Sequence, residues 1–183
     1  MRKEVKFAGF GGQGVVKSAI ILSLASGFYE DKEVAQTQSY GPEARGGACR
    51  SEVVISDEQI DYIKPLHVDS FVVMSQPAMD QYIKEIDPEE TVVIADTTLV
   101  RDIPKKLKRV YPLEATRIAE QEFGGPIFAN IIMLGALSSI TGMVALEALE
   151  ESLKGNVPPK TLDNNLSALK KGYEIGLKLM GKA

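Results

Sequence analysis

Three features of the sequence predict a single α/β domain in three layers, with helices on both faces of a mostly parallel sheet and a helical C-terminal third. The chain opens with a β-branched and aromatic run, Glu4–Phe10, that breaks into GFGGQG at residues 9–14 and continues as a helix-like segment from Val15 to Tyr29. Strand, glycine turn and helix in that order make a Rossmann-like opening. Three further apolar runs, Val53–Ser56, Phe71–Ser75 and Thr91–Asp96, lack strict alternation, as strands covered on both faces do. Helical patterns then alternate with the strands and fill the C-terminal third, which is the arrangement of a layered α/β fold.

Taken in order, Val34–Gln38 reads as the second strand, and Pro77–Ile86 as a helix with proline in its first turn. Arg109–Leu113 adds a strand, and Glu114–Phe123 is a helix that Gly124 and Gly125 end. Ile127–Thr141 and Val144–Lys154 are helices separated at Gly142; NVPPK is a hard break; Asn165–Met180 closes the chain with apolar residues at helical spacing. No repeat, low-complexity tract or linker divides the chain, so residues 1–183 are expected to form one domain.

Composition narrows the chemistry. The 21 basic and 25 acidic side chains leave a net charge of −4 and no basic block to follow a nucleic-acid backbone. The start MRKEVKFAGF has no apolar run of the secretory kind, which predicts a cytoplasmic location. Segments 15–28 and 126–146 are apolar but interrupted by Lys17, Ser18, Asn130, Ser138, Ser139 and Thr141, so they read as buried helices and not as membrane spans. A single cysteine, Cys49, and a single histidine, His67, exclude a disulfide, a Cys/His zinc site and a cysteine-held iron–sulfur cluster within the chain. No metal site and no catalytic residue is expected.

The glycine loop fits G-x-G-x-x-G with Gly9, Gly11 and Gly14, a pattern whose N–H groups at a helix start suit a pyrophosphate. The dinucleotide fingerprint also needs an acid at the end of the second strand. Here that strand ends in Ser39-Tyr40-Gly41, which disfavours NAD. The nucleoside-triphosphate loop is a nearer miss: Gly11 to Ser18 matches G-x-x-x-x-G-K-S except that Val16 precedes Lys17 where glycine belongs, and Thr91–Asp96 imitates a magnesium-holding strand end. The plain alternative is that Gly11 and Gly14 permit only a tight turn and close helix packing.

Together, GFGGQG and SYGPEARGGACRSEVVISD resemble the gamma subunit of the 2-oxoacid:ferredoxin oxidoreductases, and NIIMLGAL at 130–137 and the last helix are similar to that family too. The resemblance covers essentially the whole chain, and SYGPEARGGACRSEVVISDEQID looks most like the 2-oxoglutarate group. It implies an accessory subunit, inactive alone, of a complex that decarboxylates a 2-oxoacid to its acyl-coenzyme A and reduces ferredoxin. Thiamine diphosphate, magnesium and iron–sulfur clusters would then belong to alpha, beta and ferredoxin-like delta subunits. The alternative from another class is a free-standing nucleotide-binding protein or NTPase that uses the same loop.

On this reading, Gly9, Gly11, Gly12, Gln13, Gly14 and Arg45 are the candidates for contact with the phosphates of coenzyme A. Tyr40, Gly41, Pro42, Glu43, Arg45, Gly46, Gly47 and Arg50 are the candidates for contact with a partner subunit, joined by the apolar helices around NIIMLGALSSITG. Glycines here permit turns, Pro42 stiffens one, and the two arginines offer planar forks for carboxylate or phosphate. An isolated chain with such an interface is compatible with a homodimer. His67 reads as an edge or packing residue and Cys49 as a small packing residue, although the arginines near it would favour a thiolate. Asn130, inside an apolar helix, either ties down a loop or faces a partner.

Overall fold

Alternation along the first strand sets the architecture. In β1 (Arg2–Phe10), Val5 and Phe7 join one apolar cluster while Ala8 joins a second on the opposite face. Lys6 and Glu4 share the face of Ala8, and both are only 2% exposed. The computed structural model describes residues 1–39 and 48–181. The other strands are β2 (Glu33–Gln38), β3 (Ala48–Ser56), β4 (Ser70–Val73), β5 (Val92–Asp96) and β6 (Arg109–Leu113). They form one six-stranded sheet in the order β2-β3-β1-β4-β5-β6.

The strands β1, β4, β5 and β6 run parallel, as predicted, and β4 and β5 are buried along their whole length. The other flank departs from the expectation. β3 lies antiparallel between β1 and β2, so the second strand is not the neighbour of the first. β3 also starts at Ala48, five residues before the apolar run that announced it; Ala48-Cys49-Arg50-Ser51 is strand and not loop. The polar Arg50 and Glu52 concealed this extension, because an interrupted run does not read as a fully buried strand.

The first face carries α1 (Val15–Leu24), α3 (Ala115–Phe123), α4 (Ala129–Thr141), α5 (Leu146–Lys154) and α6 (Leu162–Leu179). Among the described residues, the second carries α2 (Gln76–Tyr82), whose N-terminus is capped by the Ser75 hydroxyl at 3.3 Å from Ala78 N, together with connecting segments. A π-helical turn, Ala25–Tyr29, extends α1 and accounts for the long apolar segment there.

Apolar on all sides, α4 is a helix that must be enclosed. Residues 129–138 are all buried between the sheet and α6. This corrects the expectation that NIIMLGALSSITG meets a partner subunit: its apolar surface is used inside the chain. Glycines let α4 and α6 approach backbone to backbone. A Cβ on Gly172 would stand 1.9 Å from Ile132 O, and one on Gly135 would stand 2.1 Å from Leu169 O. Since backbone and not a flexible side chain is in the way, Gly172→Ala is expected to destabilise the fold by about 3 kcal/mol, the upper end for overpacking, read as a lower urea midpoint.

Candidate functional site

The helix following β1 lies on one face of the sheet and the helix following β4 on the other. The crevice between the carboxyl ends of β1 and β4 is therefore a topological switch point, where open α/β sheets bind ligands. GFGGQG forms one wall of it. Across it reaches Gln13: its Oε1 accepts the N–H of Phe10 at 2.6 Å, and its Nε2 donates to the carbonyl of Met74 at 2.9 Å. The glutamine thus bridges the two parallel strands and closes the crevice from within.

Two of the motif's glycines serve internal side chains. A Cβ on Gly9 would come within 2.5 Å of Gln13 Oε1, and one on Gly14 within 2.6 Å of Asn130 Nδ2. Asn130 Nδ2 donates to Gly14 O at 3.1 Å and to Ser18 Oγ at 3.2 Å, so this asparagine ties the loop and α1 down. Gly12 differs from both. Its φ of 93° lies in the left-handed region, and no described residue stands within 4 Å of where a Cβ would be. Here the loop backbone is open to an approaching group.

Among the described residues, no side chain caps the N-terminus of α1. Gly14 is its N-cap, and its first turn has no acid to offset the positive end of the helix dipole. Lys17 is exposed one turn in. A cleft of about 390 Å³ opens beside it, lined by Phe10, Gly12, Gly14, Val16, Lys17 and Cys49 among others. A larger cleft of about 490 Å³ lies at the opposite end of the strands, around Lys3, His67, Asp69 and Arg109, away from the loop.

The antiparallel register joins the two sequence motifs. Phe10 pairs with Ala48 and Gly9 with Cys49, so β3 begins beside the glycine loop although about 35 residues separate them in sequence. Tyr40, Gly41, Pro42, Glu43, Arg45, Gly46 and Gly47 lie outside the described residues. Arg50 is committed within the chain: its Nη1 is 3.0 Å from Glu85 Oε2, and its guanidinium lies 5.2 Å from the centre of the Tyr82 ring. Lys6 pairs with Glu52 at 3.1 Å and with Glu85, and the Tyr82 hydroxyl donates to Ala48 O at 3.2 Å. This network of two cations and two carboxylates braces the start of β3 against α2.

The triphosphate-loop reading does not survive the geometry. Ser18, which would face magnesium, is 2% exposed and bonded to Asn130. Asp96, the supposed metal-holding strand end, is fully buried and accepts hydrogen bonds from the backbone and hydroxyl of Thr116, at 3.1 and 2.5 Å, at the start of α3. Among the described residues, no group of three or more His, Cys, Asp or Glu could hold a metal. His67 is exposed and offers its backbone N–H to Glu4. The residues that sequence reasoning missed are Glu4, Lys6, Tyr82 and Glu85. The available signal was two charges at alternate positions of a strand otherwise built for burial.

Burial raises the pKa of the Cys49 thiol, which disfavours the thiolate. Alkylation of the native chain at pH 8 is expected to be slower than in urea by about tenfold or more, as a thiol-reactive dye will measure.

Residues 4–175 match the family described as pyruvate ferredoxin/flavodoxin oxidoreductase. The 2-oxoglutarate synthase subunit KorC of Methanocaldococcus jannaschii is 48% identical over 181 residues, covering 98% of this chain and 96% of that protein. The ketoisovalerate oxidoreductase subunit VorA of Methanothermobacter marburgensis is 33% identical over 177 residues, which are 93% of this chain but 36% of that one. The keto/oxoacid ferredoxin oxidoreductase gamma subunit of Geobacter sulfurreducens superposes with a TM-score of 0.88 at 34% identity, over 98% of each chain. The 2-oxoglutarate:ferredoxin oxidoreductase of Magnetococcus marinus, solved with 2-oxoglutarate, coenzyme A and succinyl-CoA bound, shares the fold at a TM-score of 0.83 and 24% identity over 97% of this chain and 31% of that one.

Proposed function

The chain belongs to the pyruvate ferredoxin/flavodoxin oxidoreductase family, and from that premise we propose that it is the gamma subunit of a complex that oxidises 2-oxoglutarate to succinyl-coenzyme A. It is an accessory subunit of a 2-oxoacid:ferredoxin oxidoreductase. The observation that carries the substrate is the 48% identity to KorC over almost the full length of both chains. With one cysteine the chain cannot by itself ligate an iron–sulfur cluster, and the thiamine and iron–sulfur chemistry would belong to partner subunits. Those partners are alpha and beta subunits that bind thiamine diphosphate with magnesium, and a ferredoxin-like delta subunit; ferredoxin is the acceptor. The complex would act in the cytoplasm; no described helix is long and apolar enough to cross a membrane.

Within the complex, this chain would hold phosphate groups of coenzyme A at the start of α1. The uncapped N-terminus, the open backbone at Gly12, the Lys17 ammonium and the adjoining cleft fit an anionic group with a less polar portion. Arg45 supplies a charge-assisted bond to the same phosphates. The missing ribose-binding acid removes NAD but not a ligand whose pyrophosphate is held by backbone and arginine.

Two outcomes test this. The purified chain will be colourless and will not reduce ferredoxin with any 2-oxoacid, even with thiamine diphosphate added; iron–sulfur absorbance stoichiometric with the chain would refute it. In the reconstituted complex, Arg45→Ala will raise KM for coenzyme A about tenfold or more, the equivalent of one charged hydrogen bond of roughly 1.5–3 kcal/mol, and leave 2-oxoacid decarboxylation largely intact. Gly12→Val will act similarly by closing the open backbone. An unchanged KM in both assembled variants would assign the loop to packing.

A further inference from the structure

The connection from β3 to β4, residues 57–69, has the sequence DEQIDYIKPLHVD and displays three large apolar side chains: Tyr62 is 51% exposed, Ile63 54% and Leu66 62%. Surface connections usually carry polar side chains on a loosely held backbone. Here the backbone is fastened to β1 at several points. The Arg2 Nη2 donates to the carbonyls of Tyr62 at 3.0 Å and Lys64 at 3.3 Å. The Glu4 Oε2 accepts the N–H groups of Leu66 at 2.6 Å and His67 at 2.5 Å, while its Oε1 accepts Arg2 Nε at 2.7 Å. Asp69 accepts the N–H of Glu4 at 2.8 Å.

Glu4 is 2% exposed, and a carboxylate buried in a central strand is unfavourable unless fully bonded. Its bonds all go to Arg2 and to this loop. The arrangement therefore holds the loop backbone in one shape with its apolar side chains outward. Glu58 and Asp61 put an acidic flank beside them, both exposed. Preorganised apolar side chains with a charged rim have the composition of an interface centre.

The occupant follows from how relatives arrange the same domain. In VorA the matched region is 36% of a longer chain, so there the domain is covalently joined to further polypeptide. Where the domain is a separate chain, as in KorC, whose length the match covers to 96%, a non-covalent surface must replace that link. α4 is enclosed by its own chain and cannot serve. We infer that residues 62–66 dock into the larger subunit of the oxidoreductase, in an apolar depression flanked by Lys or Arg groups that face Glu58 and Asp61. This rests on the subunit reading above.

The test co-expresses the chain with its companion subunits and measures assembly by analytical gel filtration and mass photometry. The double variant Ile63→Asp/Leu66→Asp alters exposed side chains only, so its urea midpoint should match that of the wild type. Its affinity for the complex should fall by about 30-fold or more, the loss of an interface hot spot. Excess variant should restore turnover, since the glycine loop is untouched. Glu4→Gln should give a smaller loss, with faster amide exchange at Leu66 and His67. Equal assembly of wild type and double variant would overturn the docking surface and leave the subunit reading standing. Failure of the wild type itself to assemble would overturn both. If the double variant abolished only a dimer of the isolated chain, the occupant would be a second copy and the inference wrong.

Discussion

Two charges buried in the central strand organise the thin face of the molecule. Glu4 and Lys6 stand at alternate positions of β1, and each is 2% exposed. Burying a charge there is costly without partners, and each recruits a different region. Glu4 gathers the loop before β4; Lys6 gathers Glu52 of β3 and Glu85 beyond α2, while Tyr82 lies beneath Lys6 and Arg50. With one short α-helix on that side among the described residues, these polar ties supply positional order that a fuller layer of helices would otherwise provide through packing.

The opposite side is ordered by apolar burial. α4 lies against the sheet, and glycines 135, 172 and 176 let α6 close over it with almost no side chain between the backbones. This division of labour bears on assembly. The helical side encloses α4 but leaves Phe28, Tyr29 and Ile127 exposed, whereas the thin side holds a connecting segment in a fixed shape with Tyr62, Ile63 and Leu66 outside.

Insertion of β3 between β1 and β2 separates this fold from the dinucleotide-binding arrangement that its glycine loop imitates. With β2 displaced by one strand, an acid at its end would stand away from a ligand at the loop. Gln13 and Asn130 fill the space that Gly9 and Gly14 leave free, so the motif's first and last glycines answer to internal packing. What stays exposed is the backbone near Gly12 and Lys17 at the start of α1.

The sequence by itself determined the order and type of nearly every element. Local signals are enough for that: apolar runs for β4 and β5, Gly124 and Gly142 ending α3 and α4, and NVPPK before α6. Family resemblance through GFGGQG and SYGPEARGG led to the oxidoreductase subunit without any structure. Only the tertiary structure decided that β3 runs antiparallel beside β1, because strand neighbours depend on long-range pairing that no local window contains. It alone showed that Arg50 faces Glu85 and Tyr82, that Asn130 holds the loop, and that α4 is enclosed. Whether a polar residue or an apolar helix meets water, a partner or its own chain is set by what packs against it, and that is a property of the folded whole.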